Sequence, residues 1–295
     1  MASPTSSTPR MCLVVLIGLP GAGKTTFCKH LQTFIDGENM PDFGFLHICY
    51  DQFIPISKQK EMALIALSDR IHSSPEKEME SDENFKSCRK NFVLMTDEVI
   101  YKLKGNNSSF KANDENILPS YHAVKEQEKV LIVIDDNNYY ESMRYEYYQL
   151  ARKHSVGFCE IYLKPNSIDS VLSNNQMRAA EEQIPEDVIR NMDSKIEAPN
   201  PFQNAWEQFS FSINVQVIQN QKSQLLFNME TCLDVIKAAL DNPVQPLPPV
   251  LSDKTEEAKK ESQNICSTNV YHKADKILRY VYLNLSLLQH LISEV

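Results

Sequence analysis

Five short apolar runs punctuate the chain, with helix-length polar and amphipathic stretches between them. Residues 12–17 (CLVVLI), 45–50 (FLHICY), 130–134 (VLIVI) and 158–163 (FCEIYL) are continuous and rich in aliphatic side chains. Runs of that kind suit strands covered on both faces. A fifth segment, 209–217, alternates Phe209, Phe211, Ile213, Val215 and Val217 with polar residues, at the period of a strand. Between the runs the period changes to that of a helix. Phe92, Met95, Val99 and Leu103 share one face of 91–103, and Met143, Tyr147, Leu150 and Ala151 share one face of 137–153. Further helices are expected at 26–34, 60–71, 168–177 (with Ser167 as N-cap), 185–197 (opened by Pro185), 225–240 and 271–292. The polar stretches 73–82 and 105–116 read as surface loops or flexible insertions. Strand and helix in this order predict an α/β fold with a mostly parallel five-stranded sheet flanked by helices.

What joins the first run to its helix adds chemistry to this pattern. Gly18-Leu19-Pro20-Gly21-Ala22-Gly23-Lys24-Thr25 fits G-x-x-x-x-G-K-[ST], with Thr26 opening the helix behind it. A phosphate chain needs backbone N–H groups converging on it, so side chains must be absent where the loop bends most tightly. Three of the chain's seven glycines stand here. Residues 18–26 are therefore the expected nucleotide-binding segment. Lys24 would serve the β- and γ-phosphates, and Thr25 would offer a hydroxyl to Mg²⁺. ATP and Mg²⁺ are the expected cofactors, and a P-loop kinase is the expected architecture.

Acidic and basic residues follow at the carboxyl ends of the other runs, the edge where open α/β sheets bind ligands. Asp51 ends the second run, either as a group that orients a hydroxyl nucleophile or as an ordinary N-cap. Asp135 and Asp136 end the third, where an acid resembles the Walker B position that serves Mg²⁺. Successive side chains of a strand point to opposite faces, so the two need different jobs, and spacing alone does not say which meets the metal. Arg144, early in the tyrosine-rich helix, is a candidate for neutralising a transferring phosphoryl group. Arg178 belongs to a lid expected at about 167–185, or else is a solvated helix-end cation.

Composition changes this picture little. With 295 residues, 42% hydrophobic and 23% charged, the chain has room for one large or two smaller cores. No run approaches the length that spans a bilayer, and the first ten residues read as a polar tail without a signal peptide. Seven scattered cysteines without C-x-x-C fit a reducing, cytoplasmic compartment and argue against zinc. The expected domains are a kinase domain over 11–220, carrying a variable insertion at 57–128, and a smaller, mainly helical C-terminal domain over 221–295. A proline-rich connector at 243–250 lies within the latter. Net charge is −9, and from 176 onward 16 acidic residues outnumber 11 basic ones. That disfavours a generic polyanion binder and leaves a local cluster, Lys273, Lys276 and Arg279, either as a candidate for gripping a nucleic acid or as the solubilising face of a helix.

Several longer blocks carry a more specific signal than the loop. The stretch 135–163 (DDNNYYESMRYEYYQLARKHSVGFCEIYL) resembles the signature of L-seryl-tRNA(Sec) kinase, or phosphoseryl-tRNA kinase. So do GLPGAGKTT, Tyr50-Asp51, 197–207 (EAPNPFQNAWE) and 265–275 (ICSTNVYHKAD). The resemblance implies an ATP-dependent enzyme that phosphorylates the seryl group of seryl-tRNA(Sec), the intermediate from which selenocysteine is made. It implies that Gly21, Gly23, Lys24 and Thr25 bind ATP and Mg²⁺, that Asp51 activates or orients the serine hydroxyl, and that Arg144 belongs to the active-site helix. Seryl-tRNA(Sec) is the expected partner; no membrane, DNA or obligate protein partner is expected. Two alternatives share the loop: a tRNA-binding, Elongator-associated ATPase and a small-metabolite kinase.

Overall fold

The computed structural model describes residues 8–37, 40–55, 57–59, 75–106, 124, 126–215 and 229–247. The chain divides into two compact units, 1–68 with 81–246 and 69–80 with 247–295, and the sheet lies in the first. Helices expected at 60–71 and 271–292, the cluster Lys273, Lys276 and Arg279, and the block 265–275 lie outside the described residues.

All five expected strands form: β1 (Arg10–Ile17), β2 (Phe43–Cys49), β3 (Lys129–Asp135), β4 (Gly157–Pro165) and β5 (Ser210–Val215). They make one wholly parallel sheet in the order β2-β3-β1-β4-β5. Parallel neighbours need crossovers, and helices supply them: α1 (Lys24–Gly37) after β1, the turn α2 (Tyr50–Phe53) and the long α3 (Pro75–Leu103) after β2, and α4 (Glu141–His154) after β3. Past β4 come α5 (Ile168–Gln176) and α6 (Glu186–Asp193), and α7 (Met229–Asp241) follows β5. From β1 the chain crosses to one side for β2 and β3 and to the other for β4 and β5. The loop after β1 thus lies at the switch point, where such sheets bind ligands.

Both faces of the sheet are buried, and alternate side chains of β1 divide between two cores. Cys12, Val14 and Leu16 pack with Phe27, Leu31 and Ile35 of α1, Val171 of α5, Ile189 of α6, and Cys232 and Ile236 of α7. Met11, Leu13 and Val15 pack with Phe92, Val99 and Ile100 of α3 and Tyr147 and Ala151 of α4. Each wholly buried aliphatic side chain contributes about 1.5–3 kcal/mol, and this burial rather than helix propensity holds the short helices in place.

Two boundaries differ from expectation. The helix α7, assigned from sequence to a C-terminal domain beginning at 221, packs on the kinase sheet: a Cβ on Gly157 of β4 would come within 2.6 Å of the Ala239 carbonyl oxygen. Its apolar face had no way to announce its partner. The polar stretch 73–82, expected as a loop, is from Pro75 onward the start of α3. Its charged residues lack the apolar periodicity by which a helix is recognised. The six described cysteines are free thiols. Among the described residues no helix is long and apolar enough to cross a membrane.

Candidate active site

The loop between β1 and α1 adopts the backbone its glycines allow, with φ of +88° at Gly21 and +91° at Gly23. Gly21 has a second constraint. A Cβ there would lie 2.5 Å from the Val171 carbonyl oxygen, because α5 packs directly over the loop. Asn174 of the same helix donates to the Gly21 carbonyl at 3.0 Å. Leu19 and Ala22 bury their side chains in the core beneath and leave the loop its backbone. Pro20, expected among the nucleotide-binding residues, carries no N–H and adds no donor to the cradle.

Lys24 is buried, and its ammonium is fully engaged. It donates to the carbonyls of Gly18 (3.0 Å) and Leu19 (2.9 Å) and to Asn137 Oδ1 (2.9 Å). Burial lowers its pKa, while the charges of Asp135, Asp136 and Asp51 oppose that shift and Arg178 adds to it. Four groups singled out from sequence thus lie within electrostatic reach of the lysine. They come from β2–α2, β3 and the segment after α5.

The adjacent aspartates divide their work as strand alternation requires. Asp135 Oδ2 accepts from Thr25 Oγ1 at 2.8 Å and lies 3.0 Å from His47 Nε2. Burial pushes its pKa up, but His47, Lys24 and Thr25 outweigh that and hold it below the ordinary carboxylate value. Asp136 turns the other way. Its Oδ2 accepts from Arg89 Nη1 at 2.6 Å and its Oδ1 from the Asn137 backbone N–H at 2.7 Å. Both Asp136 oxygens are so occupied, while Asp135 is the one of the pair bonded to Thr25. Cys28 Sγ, a ring nitrogen of His47 and an Asp135 oxygen lie within 4.8 Å of one another, the one group of His, Cys, Asp or Glu that could hold a metal ion among the described residues.

Asp51 sits in the single turn α2, immediately past the carboxyl end of β2. Gln59 Nε2 donates to its Oδ1 at 3.1 Å. The carboxyl keeps solvent on one side, yet protein packed around it raises its pKa against the pull of Gln59 and Lys24. A carboxylate with incomplete hydration is a better proton acceptor than a free one.

Arg144 corrects an expectation. Its guanidinium is 1% exposed and donates from Nε to Glu160 Oε1 (3.0 Å), from Nη2 to Glu207 Oε1 (2.7 Å), and from Nη1 to the carbonyls of Asn138 (3.3 Å) and Glu197 (2.9 Å). Four of its five N–H groups are spent inside the protein, so it binds the segment 197–207 to the sheet instead of facing a phosphate. Glu160 between them has its pKa pushed up to about 8, by burial first; Arg144 opposes this and Glu207 adds to it. Arg178 remains half-exposed beyond α5, in a loop pinned by Gln183, whose Nε2 donates to the Arg178 and Gln176 carbonyls.

Three site residues went unnoticed in the sequence. Asn137 follows the two aspartates and could have been found as a polar residue at the same sheet edge. His47 stands inside an apolar run, where an ionisable group is itself a signal. Arg89 lies in 57–128, where no pattern pointed to chemistry.

A glycine loop closing on a buried lysine, with acids from two neighbouring strands beside it and a helix covering it, defines a P-loop kinase, a phosphotransferase. Residues 11–291 match the family model described as Chromatin associated protein KTI12. The chain is 33% identical to the L-seryl-tRNA(Sec) kinase of Mus musculus, over 92% of this chain and 74% of that protein. It is 31% identical to the Homo sapiens enzyme of the same name, over 91% and 76% respectively. The solved Chaetomium thermophilum Kti12 in complex with ADP-AlF3 aligns with a TM-score of 0.41 at 18% identity, covering 76% of this chain and 98% of that one. The chain belongs to the family of that KTI12 model, and its curated relatives carry the name L-seryl-tRNA(Sec) kinase.

Proposed function

We propose that the protein transfers the γ-phosphoryl group of ATP to the seryl hydroxyl of seryl-tRNA(Sec), giving O-phosphoseryl-tRNA(Sec). The observation that carries this reading is the position of Asp51: a carboxyl with raised pKa, two residues past β2, in the same electrostatic neighbourhood as Lys24 and Asp135. An enzyme that passes phosphate to an alcohol needs an acceptor for the hydroxyl proton beside its phosphate cradle. The names of the curated relatives support seryl-tRNA(Sec) as the source of that alcohol.

Phosphoryl transfer is mostly positioning and charge neutralisation. The loop N–H groups of 18–26 and the Lys24 ammonium would hold the β- and γ-phosphates, with Arg178 reaching them from the lid. Thr25 Oγ1 and Asp135 Oδ2, 2.8 Å apart, are hard oxygen donors of the kind Mg²⁺ takes, and these residues would hold it. The ion would neutralise charge shared between the two phosphates. Asp51 would align the seryl hydroxyl and receive its proton as the bond to phosphorus forms.

A second reading has its own support, because the matching family model is described by a chromatin-associated protein and not by a kinase. In that case ATP would be hydrolysed with tRNA as a regulator. Incubation with γ-labelled ATP and serylated tRNA(Sec), serylated ordinary tRNA(Ser) or no tRNA separates the two. Label retained on seryl-tRNA(Sec) alone is the expected result. Phosphate release stimulated by tRNA, with no label retained, would overturn it.

A further inference from the structure

The helix α3 reaches the site through one cation that has no counterpart in the sequence reading. Arg89 Nη1 donates to Asp136 Oδ2 at 2.6 Å, and its guanidinium carbon lies 5.3 Å from the centre of the Tyr50 ring. Tyr50 is the residue before Asp51. One turn further along α3, Phe92 meets Tyr50 edge-on at 5.2 Å and Phe53 at 5.5 Å, so both aromatic residues of the α2 turn rest against α3. The turn that carries Asp51 is thus seated on the Arg89–Phe92 face.

The other arm of Arg89 leads to Lys24. Asp136, whose side chain is 3% exposed, spends its second oxygen on the Asn137 backbone N–H at 2.7 Å. The Asn137 carbonyl accepts from the Gly18 N–H at 3.1 Å, and its side-chain oxygen accepts from Lys24 Nζ at 2.9 Å. Three short polar contacts therefore join Arg89 to the lysine, and one ring contact joins it to the turn bearing Asp51. An arginine suits this place because its planar group can bond a carboxylate in its plane while facing a ring, which an ammonium cannot do as well.

We propose that Arg89 is a positioning residue for phosphoryl transfer, fixing the Asp51 turn relative to the Asp136–Asn137–Lys24 loop. The proposal rests on the kinase reading in taking Asp51 as the group beside the acceptor. Arg89 acts through Asp136 and the Tyr50 ring. Loss of Arg89 should therefore spare ATP binding and slow the step that needs both arms in register.

The test compares Arg89→Met, Asp136→Asn, the double variant and Arg89→Lys with the wild type, measuring thermal midpoint, ATP affinity and seryl-tRNA(Sec) phosphorylation at saturation. Arg89→Met should bind ATP within about threefold of wild type and lose roughly tenfold or more in kcat, a loss of about 1.4 kcal/mol or more in transition-state stabilisation. The double variant should be no slower than its slower parent, because residues acting as a unit do not add. Arg89→Lys should recover part of the rate. Restoration of the wild-type rate in the double variant would mean that Arg89 only balances a buried carboxylate, and would overturn the proposal. So would losses that multiply, or wild-type kcat in Arg89→Met. If Arg89→Met does not fold, the double and lysine variants decide by the same criteria. Should the wild type fail to label seryl-tRNA(Sec), the kinase reading falls, and the same variants are read by ATP hydrolysis: non-multiplying losses support the positioning role, and multiplying or absent losses overturn it.

Discussion

Thr25 Oγ1 donates a 2.8 Å hydrogen bond to Asp135 Oδ2, joining the start of α1 to the end of β3 across 110 residues of sequence. Parallel pairing makes this contact, because β1 and β3 are direct neighbours and their carboxyl ends lie side by side. Asp135→Asn keeps the shape and removes the charge. A charge-assisted contact is worth about 1.5–3 kcal/mol, so kcat/KM for ATP should fall roughly 10–150-fold. Steady-state kinetics at varied Mg²⁺ checks this, and an unchanged Mg²⁺ requirement would remove Asp135 from the metal side.

Asp51→Asn should retain ATP binding and lose transfer to seryl-tRNA(Sec). The wild type carries a further expectation. Because the pKa of Asp51 is raised, its protonated form persists to higher pH than an ordinary carboxyl's. A proton acceptor must be ionised, so transfer should decline as pH falls through that raised pKa. The acid limb of kcat should lie above about 4, the ordinary carboxylate range. Normal turnover by the asparagine variant would sink the assignment.

Arg144→Met should unfold the protein far more easily, by about 3–5 kcal/mol, since it leaves the Glu207 carboxylate buried without its cation and Glu160 without its donor. Urea denaturation reads this loss. If ATP binding suffers while stability stays intact, the buried network is misassigned.

Glu160 also sets a pH dependence of stability. Its pKa is about 8 in the folded protein, against about 4.3 for a free glutamate, so between those values the native state holds a proton that the unfolded chain has released. Stability should therefore fall as pH rises from about 4.3 towards 8 and level off beyond. Glu160→Gln, neutral throughout, should flatten that slope in denaturation curves taken at several pH values.

Gly21→Ala should impair nucleotide binding for two reasons at once. The added Cβ meets the Val171 carbonyl at 2.5 Å, and φ of +88° is costly for any residue with a side chain. Strain of about 1–3 kcal/mol must be relieved by moving the loop or α5. ATP affinity, measured by calorimetry, should drop about tenfold or more, and wild-type affinity would mean the loop yields freely.

Much of this protein was legible one residue at a time. Four strands announced themselves as continuous apolar runs, as strands covered on both faces must be, and β5 by its alternation. The phosphate loop did so because its glycines and Lys24 answer to backbone geometry and charge, both local demands. Asp51 and the Asp135–Asp136 pair were candidates by position, as acids at the ends of apolar runs.

What tertiary structure decided were the pairings between distant elements. No pattern in 135–163 distinguishes a phosphate-facing Arg144 from a buried one; the carboxylates of Glu160 and Glu207, brought in by β4 and the 205–207 turn, decide that it is buried. Thr25 meets Asp135 and Arg89 meets Asp136, a division that spacing in the sequence does not disclose. Helix α7 became part of the kinase core only because Gly157 admits its backbone against β4. A sequence specifies which groups must be buried or charged. Which group each one meets depends on how the crossovers order the strands, and that order is a property of the whole sheet.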